Sequence, residues 1–94
     1  MKKFKSLAEH LDQIVQHYNL EMFIVEGDII NNWKDIVGPR IASNTEVQRI
    51  KDGILVVKVK NDVWRNELTF HKADLLEKIN RFLSKKFIND IRWI

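Results

Sequence analysis

Between Asn61 and Leu83 the chain reads NDVWRNELTFHKADLLEKINRFL, and its apolar residues Trp64, Leu68, Leu75, Ile79 and Phe82 recur at intervals of three, four or seven. That spacing lines one face of a helix, so the pattern predicts a single long amphipathic helix over this stretch. Asn61 is placed to accept a hydrogen bond from a first-turn amide, Asp62 suits the positive end of the helix dipole, and Lys85 and Lys86 suit the other end. A strand-like run, ILVVKVK, leads into the helix, and a second, FINDIRWI, leaves it.

Upstream, Phe4, Leu7, Leu11, Ile14, Val15 and Tyr18 follow a helical spacing, and Ser6-Leu7-Ala8-Glu9 forms a capping box at its start. This first helix is predicted to end at a turn near Asn19. A second, from about Glu21, is carried by Met22, Phe23, Ile29, Ile30, Trp33, Ile36 and Val37; it is weakened at Gly27 and stopped by Gly38-Pro39. The two helices are expected to pack through the short turn. A single helical turn before Asn44-Thr45 is plausible for Ile41 to Asn44. Thr45 to Lys51 and Ile54 to Lys60 flank Asp52-Gly53, a dipeptide that tolerates the positive φ angles of a two-residue hairpin. Leu55, Val57 and Val59 then share one face of the sheet, with Val56, Lys58 and Lys60 on the other. Arg49 and Lys51 share a face, and Arg92 points away from Ile91 and Trp93. The predicted order is α-α-β-β-α-β, a two-layer α+β sandwich whose three-stranded sheet has one packed side and one open, basic side. The last strand is free to flank either strand of the hairpin.

At 94 residues the chain is expected to be a single domain over residues 1–94. A hydrophobic content of 45% with 31% charged residues describes a globular chain, and the longest apolar run is far short of the roughly 20 residues that span a bilayer. The basic N-terminus is interrupted by Glu9, His10 and Asp12, which argues for a helix start in a cytoplasmic protein rather than a signal peptide. Without cysteine, disulfides, thiolate zinc sites and cysteine nucleophiles are excluded. Glycine-rich phosphate loops and nucleophile elbows are missing, so no enzymatic activity and no cofactor are expected. His10 and His17 lie seven residues apart, about 10 Å along a helix, too far to share one ion, and no metal is expected. His71 sits near the apolar face as a packing residue. Asp74 with Lys78, and Glu77 with Arg81, are surface pairs at i, i+4 rather than an acid and base.

The informative surface set is basic: Arg49, Lys51, Lys58, Lys60, Arg65 and Arg92. Lysine and arginine along a groove bind phosphates through counterion release, whereas strand lysines also protect sheet edges from aggregation. Without an exposed aromatic pair for base stacking, any nucleic-acid binding is expected to be weak and sequence-tolerant. Val63 and Phe70 project away from the main stripe of the long helix. They mark a partner surface unless the first two helices wrap over them.

The segment Trp33-Lys34-Asp35-Ile36-Val37-Gly38, then Ile41-Ala42, Asp52 to Val59, Trp64 with Glu67-Leu68, and Leu75-Leu76 with Ile79-Asn80 closely resembles the DciA-like family of small bacterial proteins in order and spacing. The resemblance covers nearly the whole chain. It implies a KH-like fold, nucleic-acid binding and assistance to the bacterial replicative helicase in DNA replication. Helicase-loading members commonly carry a further basic or disordered extension; this chain stops at Ile94, which is read as a bare domain. The GXXG loop of KH domains is absent, because Gly38 is followed by Pro-Arg-Ile and Gly53 by an apolar strand. Trp33, Gly38, Trp64 and Leu68 match the family pattern as residues of the core and helix stop. Two functions follow: a DNA-binding helper of the helicase using the basic set, or a protein-interaction or self-associating module using Val63, Phe70 or a sheet edge without nucleic acid.

Overall fold

A computed structural model describes residues 13–94, with side chains from residue 20. The predicted capping box at Ser6 to Glu9, the stripe residues Phe4, Leu7 and Leu11, and His10 lie outside the described residues. The elements are α1 (Gln13–Asn31), α2 (Trp33–Val37), α3 (Pro39–Ala42), β1 (Thr45–Lys51), β2 (Ile54–Val59), α4 (Asp62–Thr69), α5 (Lys72–Leu83) and β3 (Asp90–Trp93). Helices and a three-stranded sheet make the expected α+β fold.

The strand order is β1-β2-β3, with β1 antiparallel and β3 parallel to the central β2. This settles which hairpin strand the last strand joins. The hairpin turns where the sequence placed it: Asp52 (φ 53°) and Gly53 (φ 78°) both take the left-handed conformation that matches the twist of the flanking strands. A side chain at Gly53 would also meet the amide of Asn89 at 2.6 Å. The Asn89 amide donates to the Gly53 carbonyl at 2.8 Å, so the turn docks directly on the entry to β3.

Gln48 is an extra residue in β1: the pairing with β2 shifts between Val47 and Arg49. Simple alternation puts Val47 and Ile50 on opposite faces of the sheet. With the bulge, Val47 lies opposite Val57 and Ile50 opposite Leu55, so both turn inward. The core gathers them with Val25, Ile29, Trp33, Ile36, Val37, Leu55, Val57, Val59, Leu68, Leu75, Ile79, Ile88 and Ile91. All the helices supplying these residues lie on that side of the sheet.

Three helical expectations are corrected. The chain does not turn at Asn19; α1 is one continuous helix across both Asn19 and Gly27. Each of those residues costs a helix only about 0.5–1 kcal/mol, less than the burial of Val25 and Ile29 on the next turns returns. The helix instead ends before Trp33, whose indole donates to Thr45 Oγ1 at 2.8 Å while that hydroxyl donates to the Ile41 carbonyl at 2.7 Å. Gly38 stops α2 at φ 92° as anticipated, and Pro39 starts the short α3.

The long helix is likewise two helices, broken at Phe70 and His71. Its apolar stripe skips from Leu68 to Leu75, and across that gap the Phe70 and His71 amides bond three residues back, to Glu67 and Leu68, tightening the turn. Asn61 caps α4 through the Trp64 amide at 2.9 Å, as read from sequence. Phe82, assigned to the stripe, is 41% exposed; Leu76 and Leu83 pack against the core beside Leu75 and Ile79. The final strand is shorter than FINDIRWI, because Phe87 and Ile88 are held by Asn80 before pairing starts.

Candidate nucleic-acid interface

Register decides which basic residues meet. On the face of the sheet away from the helices, Arg49, Val56 and Arg92 lie side by side across all three strands. Lys51, Ile54 and Asp90 form the row on one side of it, and Glu46 with Lys58 the row on the other. Adjacent strands are about 4.8 Å apart, so the two arginines stand roughly 10 Å apart over Val56. Val56 is only 6% exposed yet is not part of the helix-packed core.

Arg49, Lys51, Lys58 and Arg92 are exposed. Lys60 follows the end of β2 with the same parity and is exposed as well. None of these five enters an ion pair among the described residues, whereas cations of the helical layer are mostly paired: Lys72 with Asp90 at 3.2 Å, Lys78 with Asp74 at 3.3 Å, and Arg81 with Glu77. Arg65, the sixth residue of the sequence set, belongs to that layer too. It sits half-buried on α4 and is held by Asp62. Of the two acids on the open face, Asp90 is already engaged with Lys72, and Glu46 accepts from Gln48 Nε2 at 2.7 Å. The face therefore carries a net positive charge, with Glu46 beside Lys58 offsetting only part of it, an arrangement able to hold phosphate oxygens without reading bases.

A second surface lies on the helical side. Val63 and Phe70 are 78% and 77% exposed, so among the described residues no helix wraps over them. Next to them the α2–α3 turn and α4 enclose a shallow groove lined by Gly38, Arg40, Ile41, Trp64, Glu67 and His71. The Arg40 guanidinium lies 5.5 Å from the centre of the Trp64 ring, and His71 Nε2 lies 3.4 Å from Glu67. Sequence reading treated Trp64 as core and His71 as packing. In the fold Trp64 is half-buried at a groove wall and His71 is exposed. Trp64 still packs against the core, as the sequence implies, while its other side lines the groove; only His71 departs from the packing role. Among the described residues no cluster of three or more histidine or carboxylate groups is placed to hold a metal, and no helix is long and apolar enough to cross a membrane.

The family model described as "Dna[CI] antecedent, DciA" matches residues 6–93. A UPF0232 protein of Bifidobacterium longum is 36% identical over 62 residues, which is 66% of this chain and 40% of that protein. A UPF0232 protein of Corynebacterium glutamicum is 27% identical over 88 residues, covering 94% of this chain and 49% of its own. The chain thus spans about half or less of the length of these curated relatives.

Proposed function

The chain belongs to the DciA family, and from that premise we propose that it is a non-enzymatic domain that binds DNA weakly through the open face of its sheet and touches the bacterial replicative helicase through its helical layer. The observation that carries the DNA reading is the row Arg49, Val56, Arg92, which puts two guanidiniums, without an ion pair among the described residues, on one face of the sheet with Lys51 and Lys58 beside them. Lys60 extends the row of charge. These groups hold backbone phosphates, so affinity falls with salt and depends little on sequence. The helicase contact uses Val63 and Phe70, whose exposure on the opposite layer allows both partners to be held at once. The action is tethering, keeping the helicase near the strand it is to encircle.

The test is fluorescence anisotropy of labelled single- and double-stranded DNA at low and physiological salt, with Arg49→Glu/Lys58→Glu beside the parent chain. Salt-sensitive binding that the charge reversal abolishes supports the assignment. Binding that the reversal leaves unchanged removes it. A pull-down of the helicase by the parent chain, lost in Phe70→Asp and kept in the charge-reversed variant, assigns the second surface; the opposite pattern moves the helicase to the sheet face.

A further inference from the structure

The open face of the sheet holds two carboxylates among its cations, Glu46 and Asp90, and neither forms an ion pair with a cation of that face among the described residues. For Glu46 this is unexpected. The register sets it directly opposite Lys58, and facing side chains on antiparallel strands have Cβ atoms about 4.5–5.5 Å apart, a spacing at which opposite charges attract favourably. The Glu46 carboxylate instead accepts from Gln48 Nε2 at 2.7 Å.

Gln48 is the extra residue of the β1 bulge. Val47 pairs with Val57 and Arg49 with Val56, so no residue of β2 faces Gln48. Its side chain has no cross-strand neighbour to satisfy, is half-buried, and reaches back two residues along its own strand. A hydrogen bond from a neutral amide to a carboxylate is charge-assisted and shorter and stronger than a neutral one, whereas an exposed lysine–glutamate pair gains little after screening and loss of side-chain freedom. The balance favours Gln48. Asp90 is treated in the same way. The Ile91 amide at 2.8 Å and Lys72 at 3.2 Å hold it, although Arg92 lies two residues along the same strand on the same face.

We propose that Gln48 is a positioning residue of the DNA-binding face: by holding Glu46 it keeps the Lys58 ammonium free for a backbone phosphate, acting through Glu46 rather than on the DNA. This role rests on the DNA reading above and supplies the means by which the face keeps its cations available beside two carboxylates. Gln48 is the residue to test because it is neutral. Removing Lys72 from Asp90 would also take away a positive charge, whereas changing Gln48 leaves the net charge of the chain untouched.

Gln48→Met keeps the length of the side chain and loses the donor. Its affinity for a labelled single-stranded oligonucleotide at low salt, read by anisotropy, is expected to fall about two- to five-fold, the range set by one exposed ion pair. In a Glu46→Gln background the same substitution is expected to leave affinity unchanged, because no carboxylate is released. Gln48→Thr, a good strand former too short to reach Glu46, is expected to repeat the pattern, which sets aside any effect of methionine at the bulge. Equal losses in the two backgrounds, or no loss in either, overturn the proposal. A double-mutant cycle on Glu46 and Lys58, read by urea unfolding, needs no DNA: coupling between the two is expected to be absent in the parent chain and to emerge in Gln48→Met. Coupling already present in the parent, or absent from both, overturns the proposal as well. If the parent chain binds no DNA, the DNA reading falls, and the cycle still decides whether Gln48 holds Glu46 away from Lys58.

Discussion

Asn80 makes three hydrogen bonds to the backbone of one segment. Its Oδ1 accepts the amides of Phe87 at 3.0 Å and Ile88 at 2.9 Å, and its Nδ2 donates to the Ile88 carbonyl at 2.9 Å. These bonds tie the segment after α5 back onto the helix and deliver Ile88, fully buried, to the core. Asn80→Ala strands three partly buried backbone groups, each worth about 1 kcal/mol once partial solvation is allowed for. The expected loss is about 2–3 kcal/mol in urea unfolding, and Asn80→Asp is also destabilising, because it keeps the acceptor but sets a carboxylate oxygen against the Ile88 carbonyl. Equal stability in all three proteins would show that the loop finds its path without this side chain. Asn80 was visible in the sequence only as one residue of a family motif, because its partners lie seven and eight positions downstream and no local periodicity links them. Arg49 and Arg92 are alike in this respect: their types were informative, but their juxtaposition over Val56 is a product of register.

The elements that were legible are those specified by their own residues. Asp52-Gly53 fixes a hairpin because two positive φ angles in sequence suit those two residues, and Asn61 caps α4 through an amide three residues away. The elements misjudged are those set by packing. Asn19 and Gly27 disfavour a helix, yet α1 runs through them because its inner face packs on the core. The helix after Asn61 breaks at Phe70 because the stripe has a gap that a seven-residue interval disguises. The bulge at Gln48 is required only once Val47 and Ile50 must both face Val57 and Leu55. Two exposed strand edges meet a common solution that sequence did not reveal: a carboxylate accepts an outward amide, Glu26 for Ile50 on β1 and Asp90 for Ile91 on β3. Such capping blocks further strand pairing. Asp90 is held below the ordinary carboxylate value of 3.8, first by the Ile91 amide and then by Lys72. A lowered carboxyl contributes stability that is fully present above the ordinary value and is lost as pH falls through the lowered one. The group is half exposed, 51% by side chain, so solvent screening keeps the contribution under about 1 kcal/mol. The difference in urea midpoint between pH 7 and pH 3 should therefore be smaller in Asp90→Asn than in the parent chain. An identical difference would mean that the edge cap does not sense the charge of Asp90.

For the whole molecule, the proposed function rests on a division between layers. Among the described residues, the helices lie on one side of the sheet and hold most of their cations in ion pairs, while the other side carries no helix and its cations enter no ion pair. Net charge, +3 for the chain, conveys none of this, since residues of either layer count equally toward it. Arg65 and Arg92 separate the layers cleanly. Both were members of one basic set by sequence, but Arg65 is bound to Asp62 on α4 while Arg92 stands in the row beside Val56. Each phosphate contact adds close to 0.9 to the slope of log affinity against log salt for duplex DNA, and about 0.7 for a single strand. Arg92→Gln is thus expected to lower that slope by roughly one contact, whereas Arg65→Gln leaves it unchanged, although both remove one positive charge. A general electrostatic attraction would weaken binding equally in the two variants. The reverse outcome, a slope lowered by Arg65→Gln alone, would place DNA on the helical layer, and the surface at Val63 and Phe70 would then have to be shared between DNA and helicase.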